Sequence, residues 1–232
     1  MKKFGLLIFI VAILVGVVIA NLFSFGRVAG KFVDLSFVSG IKGSAVPASE
    51  ARDAHDFTGV DVGGVFQVDI VVGKAFGLDV EADDNLLQYI KTEVHDGVLK
   101  IETTERIKSR NPMRIRIAAP DIEKVGASGA CKISVQGVKN SSLSIDISGA
   151  SKINVVGETA ALNVDVSGAG NIEAEGLIAQ TARVDASGAS KVNLFVTDRL
   201  TSNASGASRI TYAGNPTSVG KKTSGASTVS QK

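Results

Sequence analysis

Three aspartates, Asp146, Asp165 and Asp185, recur at intervals of 19 and 20 residues. Lys132, Lys152, Lys191 and Arg209 recur at a matching pace, with Asn171 in the one gap. One kind of charge returning at one interval is what a binding ladder needs. Aligned carboxylates could collect calcium or supply the acid and base of a carbohydrate-cleaving enzyme. Aligned cations could hold an anionic glycan. Without a ligand, the same columns are the solvated outer faces of strands, where neighbouring acidic and basic ladders offset each other's repulsion.

All of these readings require the fold to stack residues that lie far apart in sequence. The element that would do so surrounds each aspartate. The tripeptide Ser-Gly-Ala begins at Ser128, Ser148, Ser167, Ser187, Ser205 and Ser224, at spacings of 20, 19, 20, 18 and 19 residues. Positions one, three and five before the serine are mostly apolar, as in Leu143, Ile145 and Ile147. Positions five and seven after it are apolar again, as in Ile153 and Val155. A period of two on both sides predicts strand, corner, strand, with the aspartates and lysines facing outward.

No unit carries a helical stripe, and hairpins stacked as a meander would not need the same side chains at every corner. A parallel β-solenoid does, because its coils stack at about 4.8 Å and align equivalent residues in columns. One coil cannot bury its apolar side alone, whereas stacked coils share a core. Gly129, Gly149, Gly168, Gly188, Gly206 and Gly225 are the expected corner residues, with the following alanine filling the bend. The expected fold class is therefore all-β, a parallel β-helix or solenoid with coils of about 18–20 residues. In the last copy Lys221 takes an otherwise inward position, so fraying or a cap is expected there.

Other chemistry finds little support. His55 precedes the first strand and His95 adjoins a turn, which leaves a Ser-His-Asp triad little to draw on. The Ser-Gly-Ala corner lacks the form of a nucleophile elbow. Cys131 stands where sister repeats have Ser151 and Ser190, a substitution within a small-residue column. One cysteine forbids an intrachain disulfide, and with only two histidines no zinc site, and no other cofactor, is expected. The glycines near Gly63 precede no helix, so they form no phosphate loop. Residues 27–123 hold 12 basic and 16 acidic side chains, and 124–232 hold 11 and 7. That balance is too weak for a nucleic-acid partner.

Upstream of the repeats, GVDVGGVFQVDIVVG predicts one or two strands, bent or broken at Gly63-Gly64, and GLDVEA another. Asp83 or Asp84 can cap the short helix expected over NLLQYI. KTEVHDGVLKIET is a hairpin signal turning at Asp96-Gly97, and MRIRIA alternates once more. At the amino terminus, Lys2 and Lys3 precede an uncharged apolar run from Phe4 to Ala20 that continues to Phe25. It reads as one hydrophobic helix over 1–26, either an uncleaved anchor inserting residues 4–25 in the membrane or a signal peptide cleaved before Asn21. Both place the remainder outside the cytoplasm. Residues 27–49 read as a linker, 50–119 as strands and hairpins, and 120–228 as the repeats.

FTGVDVGGVFQVDIVVG, ADDNLLQYIKTEV, HDGVLKIET, the serial SGAS units and the closing YAGNP together carry a resemblance over residues 50–228. The chain resembles the family described as "putative auto-transporter adhesin, head GIN domain", a domain of unknown function. The resemblance implies a β-helix-like fold in a bacterial envelope or secreted protein, and it brings no catalytic residues. The expectation is a non-enzymatic envelope protein, adhesin-like or a scaffold, with a glycan or envelope protein as partner. The alternative is a β-helix polysaccharide lyase or hydrolase.

Overall fold

The computed structural model describes residues 40–232. The expected amino-terminal helix, with its anchor or cleavage site, and residues 27–39 of the expected linker lie outside the described residues. Among the described residues, no helix is long and apolar enough to cross a membrane.

The solenoid is built from β10 (Lys124–Gly129), β11 (Lys132–Gly149), β12 (Lys152–Gly168), β13 (Asn171–Ala186) and β14 (Lys191–Ala204). It ends in β15 (Arg209–Ala213), β16 (Ser218–Thr223) and β17 (Thr228–Gln231). Each pairs in parallel with its counterpart one repeat away: Ile145 meets Val164, Asp146 meets Asp165, and Ser148 meets Ser167. The alternating pattern thus becomes columns. One buried column runs Leu99, Val60, Val125, Ile145, Val164, Val184 and then Ser202. Another runs Ile115, Val68, Ile133, Ile153, Ile172, Val192 and Ile210. Burying such aliphatic side chains contributes about 1.5–3 kcal/mol each.

The Ser-Gly-Ala corner is fixed by close approach. Gly149 has φ of 97°, and a Cβ there would lie 2.6 Å from the Gly129 carbonyl oxygen of the coil below. That same oxygen accepts the Ala150 N–H at 2.8 Å, so the corners are linked rung to rung. Ala150 itself is exposed, as are Ala130, Ala169, Ala189, Ala207 and Ala226. The bend is filled instead by the next residue. Cys131, Ser151, Gly170, Ser190 and Ser208 form an inward column. Ser151 shows why a small polar residue fits: its hydroxyl accepts the Cys131 N–H at 3.0 Å and donates to Gly129 O at 3.3 Å.

A second bend was not expected from the sequence. Register shifts between Gln136 and Val138, where Gly137 has φ of 81°, so β11 turns without breaking its pairing.

The region before the repeats joins the same stack. β1 (Ile41–Lys42) and β2 (Pro47–Arg52) come first, then β3 (Gly59–Gly64), β4 (Gln67–Val72) and β5 (Gly77–Asp83). A 3-10 helix (Asp84–Tyr89) leads to β6 (Ile90–His95), β7 (Val98–Thr103), β8 (Ile107–Lys108) and β9 (Arg114–Ala119). β3 and β4 pair in parallel with β10 and β11, and β7 and β9 stack in parallel outside them. Gly63-Gly64 is therefore a corner equivalent to Ser-Gly-Ala, not a break within one strand. The Ala130 N–H donates to Gly64 O at 2.8 Å.

The antiparallel additions are β2 on β5, β5 on β9, and the β6–β7 hairpin. Asp96 and Gly97 turn that hairpin with φ of 49° and 73°. Residues 41–42 and 47–49 are strand rather than linker, because β1 finds β8 and β2 finds β5. Buried Asp83 ties this layer together, accepting hydrogen bonds from the Asn111 amide, the Arg110 N–H and the Ser109 hydroxyl. Asp83 does not cap the short helix through its side chain.

At the far end Lys221 occupies the inward register position beyond Ser202. Its ammonium lies 4.9 Å from the centre of the Tyr212 ring and 3.4 Å from Val229 O. The residue covers the end of the core, and the strands on either side remain paired.

Candidate functional site

The strands set two polar faces, one on each side of the Ser-Gly-Ala corner. Before the corner, parallel register aligns Lys100, Asp61, Gly126, Asp146, Asp165, Asp185, Asn203 and Lys222 in one column. The three expected aspartates are neighbours on it. Asp61 was missed, although VDVGG repeats the spacing of IDISG. Serines two positions on form a parallel column, and a hollow of about 530 Å³ is lined by Asp61, Asp146, Asp165, Ser148 and Lys124. A second hollow, about 470 Å³, continues from Asp165 past Asp185 to Lys222.

The acidic column is only partly free. Lys124 Nζ lies 3.7 Å from Asp146, Arg183 Nε donates to Asp185 at 3.1 Å, and the Asn203 amide donates to Asp185 as well. Asp165 makes no ion pair among the described residues. No set of three His, Cys, Asp or Glu side chains among them is placed to hold a metal ion. Both histidines lie at exposed positions beside Asp56 and Asp96, and neither lines the hollows of the two faces. The hydrogen bond and charge of Asp56 raise the His55 pKa above its ordinary value.

After the corner, the basic column runs Arg114, Gln67, Lys132, Lys152, Asn171, Lys191, Arg209 and Thr228. All four cations named from the sequence stand on it. Their neighbours two positions on are Asp69, Ser134, Asn154, Glu173, Asn193 and Thr211. A hollow of about 460 Å³ lies over Gln67, Asp69, Lys132, Lys152, Asn154 and Glu173. Glu173 accepts a hydrogen bond from the Asn193 amide at 2.8 Å. That bond, with smaller help from Asn171, Lys191 and Lys152, outweighs burial and holds its pKa below the ordinary value.

Cys131 is buried beneath the corner with Sγ 3.4 Å from Gly64 O, and burial raises its thiol pKa. The six corner glycines make the rungs stack and present no side chain to a ligand. What the arrangement offers is two extended, regularly charged faces on a rigid support.

The chain is similar to several solved structures, of which the first below shares its fold. A "putative adhesin" from Bacteroides fragilis is 19% identical, with a TM-score of 0.69, over 83% of this chain and 100% of that one. Another from Parabacteroides merdae is 15% identical, with a TM-score of 0.49, over 83% and 98%. A "putative lipid binding protein" from Parabacteroides distasonis is 21% identical, with a TM-score of 0.45, over 83% and 99%. No curated protein matches the chain. The family model described as "putative auto-transporter adhesin, head GIN domain" matches residues 56–216, and the chain belongs to that family.

Proposed function

We propose that this protein is a non-enzymatic, adhesin-like binding module of the bacterial cell envelope, exported or held by its amino-terminal apolar segment. It engages its partner along the outer faces of the solenoid. The observation that carries this reading is the columnar register: equivalent polar residues repeat on successive rungs, giving an extended contact surface. Supporting it, Asp146 and Asp185 are engaged by cations, and neither histidine lines the acidic hollow. Membership of an adhesin-described family and the apolar leader support placement outside the cytoplasm.

The test incubates the full chain with immobilised cell-envelope polysaccharides and envelope proteins. Retention and release of reducing ends are measured together. Saturable retention without product release is expected. Sustained turnover of a polysaccharide would overturn the reading in favour of the enzyme alternative. Fractionating cells and measuring the mass of the mature protein distinguishes the anchored from the cleaved form.

A further inference from the structure

The basic face has an order that the sequence alone conceals. Taken as pairs from the polar side of each strand, successive rungs read Gln67/Asp69, Lys132/Ser134, Lys152/Asn154, Asn171/Glu173, Lys191 with the buried Asn193, and Arg209/Thr211. Two basic rungs alternate with one acidic rung, so the pattern repeats every three rungs, roughly 14–15 Å at the usual strand spacing. The rung before Gln67 carries Arg114 and Arg116, and both guanidiniums are held by Glu81 at 3.1 and 3.0 Å. Lys132, Lys152 and Arg209 make no ion pair among the described residues, whereas Lys191 lies 4.0 Å from Glu173. Three unneutralised cations on one line, with hydroxyls and amides beside them, suit a linear anion.

Resting on the binding reading above, we propose that this face takes a linear anionic polysaccharide laid parallel to the solenoid axis. Acidic sugars lie over the dyads Lys132–Lys152 and Lys191–Arg209, and a neutral sugar lies over Asn171 and Glu173. Each strand rung advances by about the length of one sugar in an extended chain, so register is kept from dyad to dyad. At the acidic rung a carboxylate can only accept hydrogen bonds, which a sugar hydroxyl supplies and a second carboxylate cannot. A nucleic acid fits less well. No aromatic ring stands on these positions for a base to stack on. A lipid headgroup surface would not read a rung period.

The test measures binding of the full chain to three probes: polygalacturonate, with a carboxylate on every sugar; uncharged dextran; and vesicles of anionic phospholipid. Polygalacturonate is expected to bind in a salt-sensitive manner, and dextran is not. Lys132→Gln or Lys152→Gln should each weaken binding about fivefold, as expected for one surface cation. The double variant Asp69→Asn, Glu173→Gln should tighten it, because the acidic rungs oppose a uniformly charged chain. Lys91→Gln, on the hairpin, should change nothing. Equal retention of dextran, indifference to the lysine substitutions, or lysine-dependent binding of vesicles in place of polygalacturonate would overturn the inference. If the chain still binds envelope material in those cases, the broader reading stands. If it binds none, both fall.

Discussion

The two halves of the stack use one coil geometry but reach it by different routes along the chain. From Lys124 onward each rung follows the last in sequence, and the inward columns stay aliphatic or small while the outward ones vary. Before it, the rung of β7 and β9 lies outside that of β3 and β4, which itself lies against β10 and β11. Rung order there is not chain order. The excursion through β5, the 3-10 helix and β6 has no counterpart in the repeats. A column therefore enforces sequence periodicity only where consecutive chain segments are consecutive rungs. Elsewhere the same packing leaves no period to see, and antiparallel strands and one buried carboxylate hold the coil.

The sharpest test compares two glycines with positive φ, one from each half. Gly149→Ala must place a Cβ 2.6 Å from a backbone oxygen that cannot withdraw without unstacking two corners. Left-handed strain and overpacking together should cost about 3–5 kcal/mol. Gly97→Ala meets no atom within 4 Å and carries only the backbone strain of φ 73°. Its cost should be about 1–2 kcal/mol. Urea unfolding of both variants measures the gap. Equal losses would mean that the repeat corners are no more constrained than an ordinary hairpin turn.

The anchor of the first half should rank next. Asp83→Ala removes the acceptor of the Asn111 amide and the Arg110 N–H from a part-buried site and should destabilise by about 2–4 kcal/mol. Burial alone would raise the Asp83 pKa, but these hydrogen bonds outweigh it and hold the carboxyl below its ordinary value. A depressed folded pKa means that the contribution is fully present above the unfolded value, near 4, and is lost as pH falls through the folded one. Asp83→Asn should therefore flatten the acid limb of the stability curve below about pH 4. Hydrogen exchange should show the loss first in β1, β5 and β8, with the repeat rungs protected longer. Simultaneous loss throughout would show that the two halves unfold as one unit.

This contrast explains what could be read from the residues beforehand. The solenoid class, the corner glycines' positions and the alignment of Asp146 with Asp165 and Asp185 follow from spacing, because stacking requires identity. The hairpin at Asp96-Gly97 was equally plain, since its turn chemistry is local. Asp61 was hidden because its rung neighbours, Lys100 and Gly126, are mismatched residues, and Gly63-Gly64 read as a bend or break but not as a corner aligned with Ser128-Gly129. The exposed alanine was misplaced for another reason. Invariance suggested confinement, but alternation does not settle which of two small neighbours faces inward when the chain turns between them. The bend at Gly137 was missed because the ladder continues through it, so no strand ends to mark it.

The smallest expected effect lies at the seam between the halves, where Cys131 meets the Gly64 corner. In the next rung Ser151 fills the same place and donates to Gly129 O at 3.3 Å. A serine at 131 finds the corresponding acceptor in Gly64 O, which now lies 3.4 Å from the thiol sulfur. The gain of a stronger donor offsets the small void left by replacing sulfur with oxygen. Cys131→Ser should therefore alter stability by less than about 1 kcal/mol, with an unchanged denaturant slope. Because burial raises the thiol pKa and encloses the sulfur, a thiol reagent should label wild-type Cys131 only at the rate of unfolding. Fast labelling under native conditions would show that the seam opens independently of the repeats. A loss of several kcal/mol in the serine variant would show that this column is not interchangeable across the boundary. Either result would mean that the Gly63-Gly64 rung copies the backbone of the repeat corner without its packing.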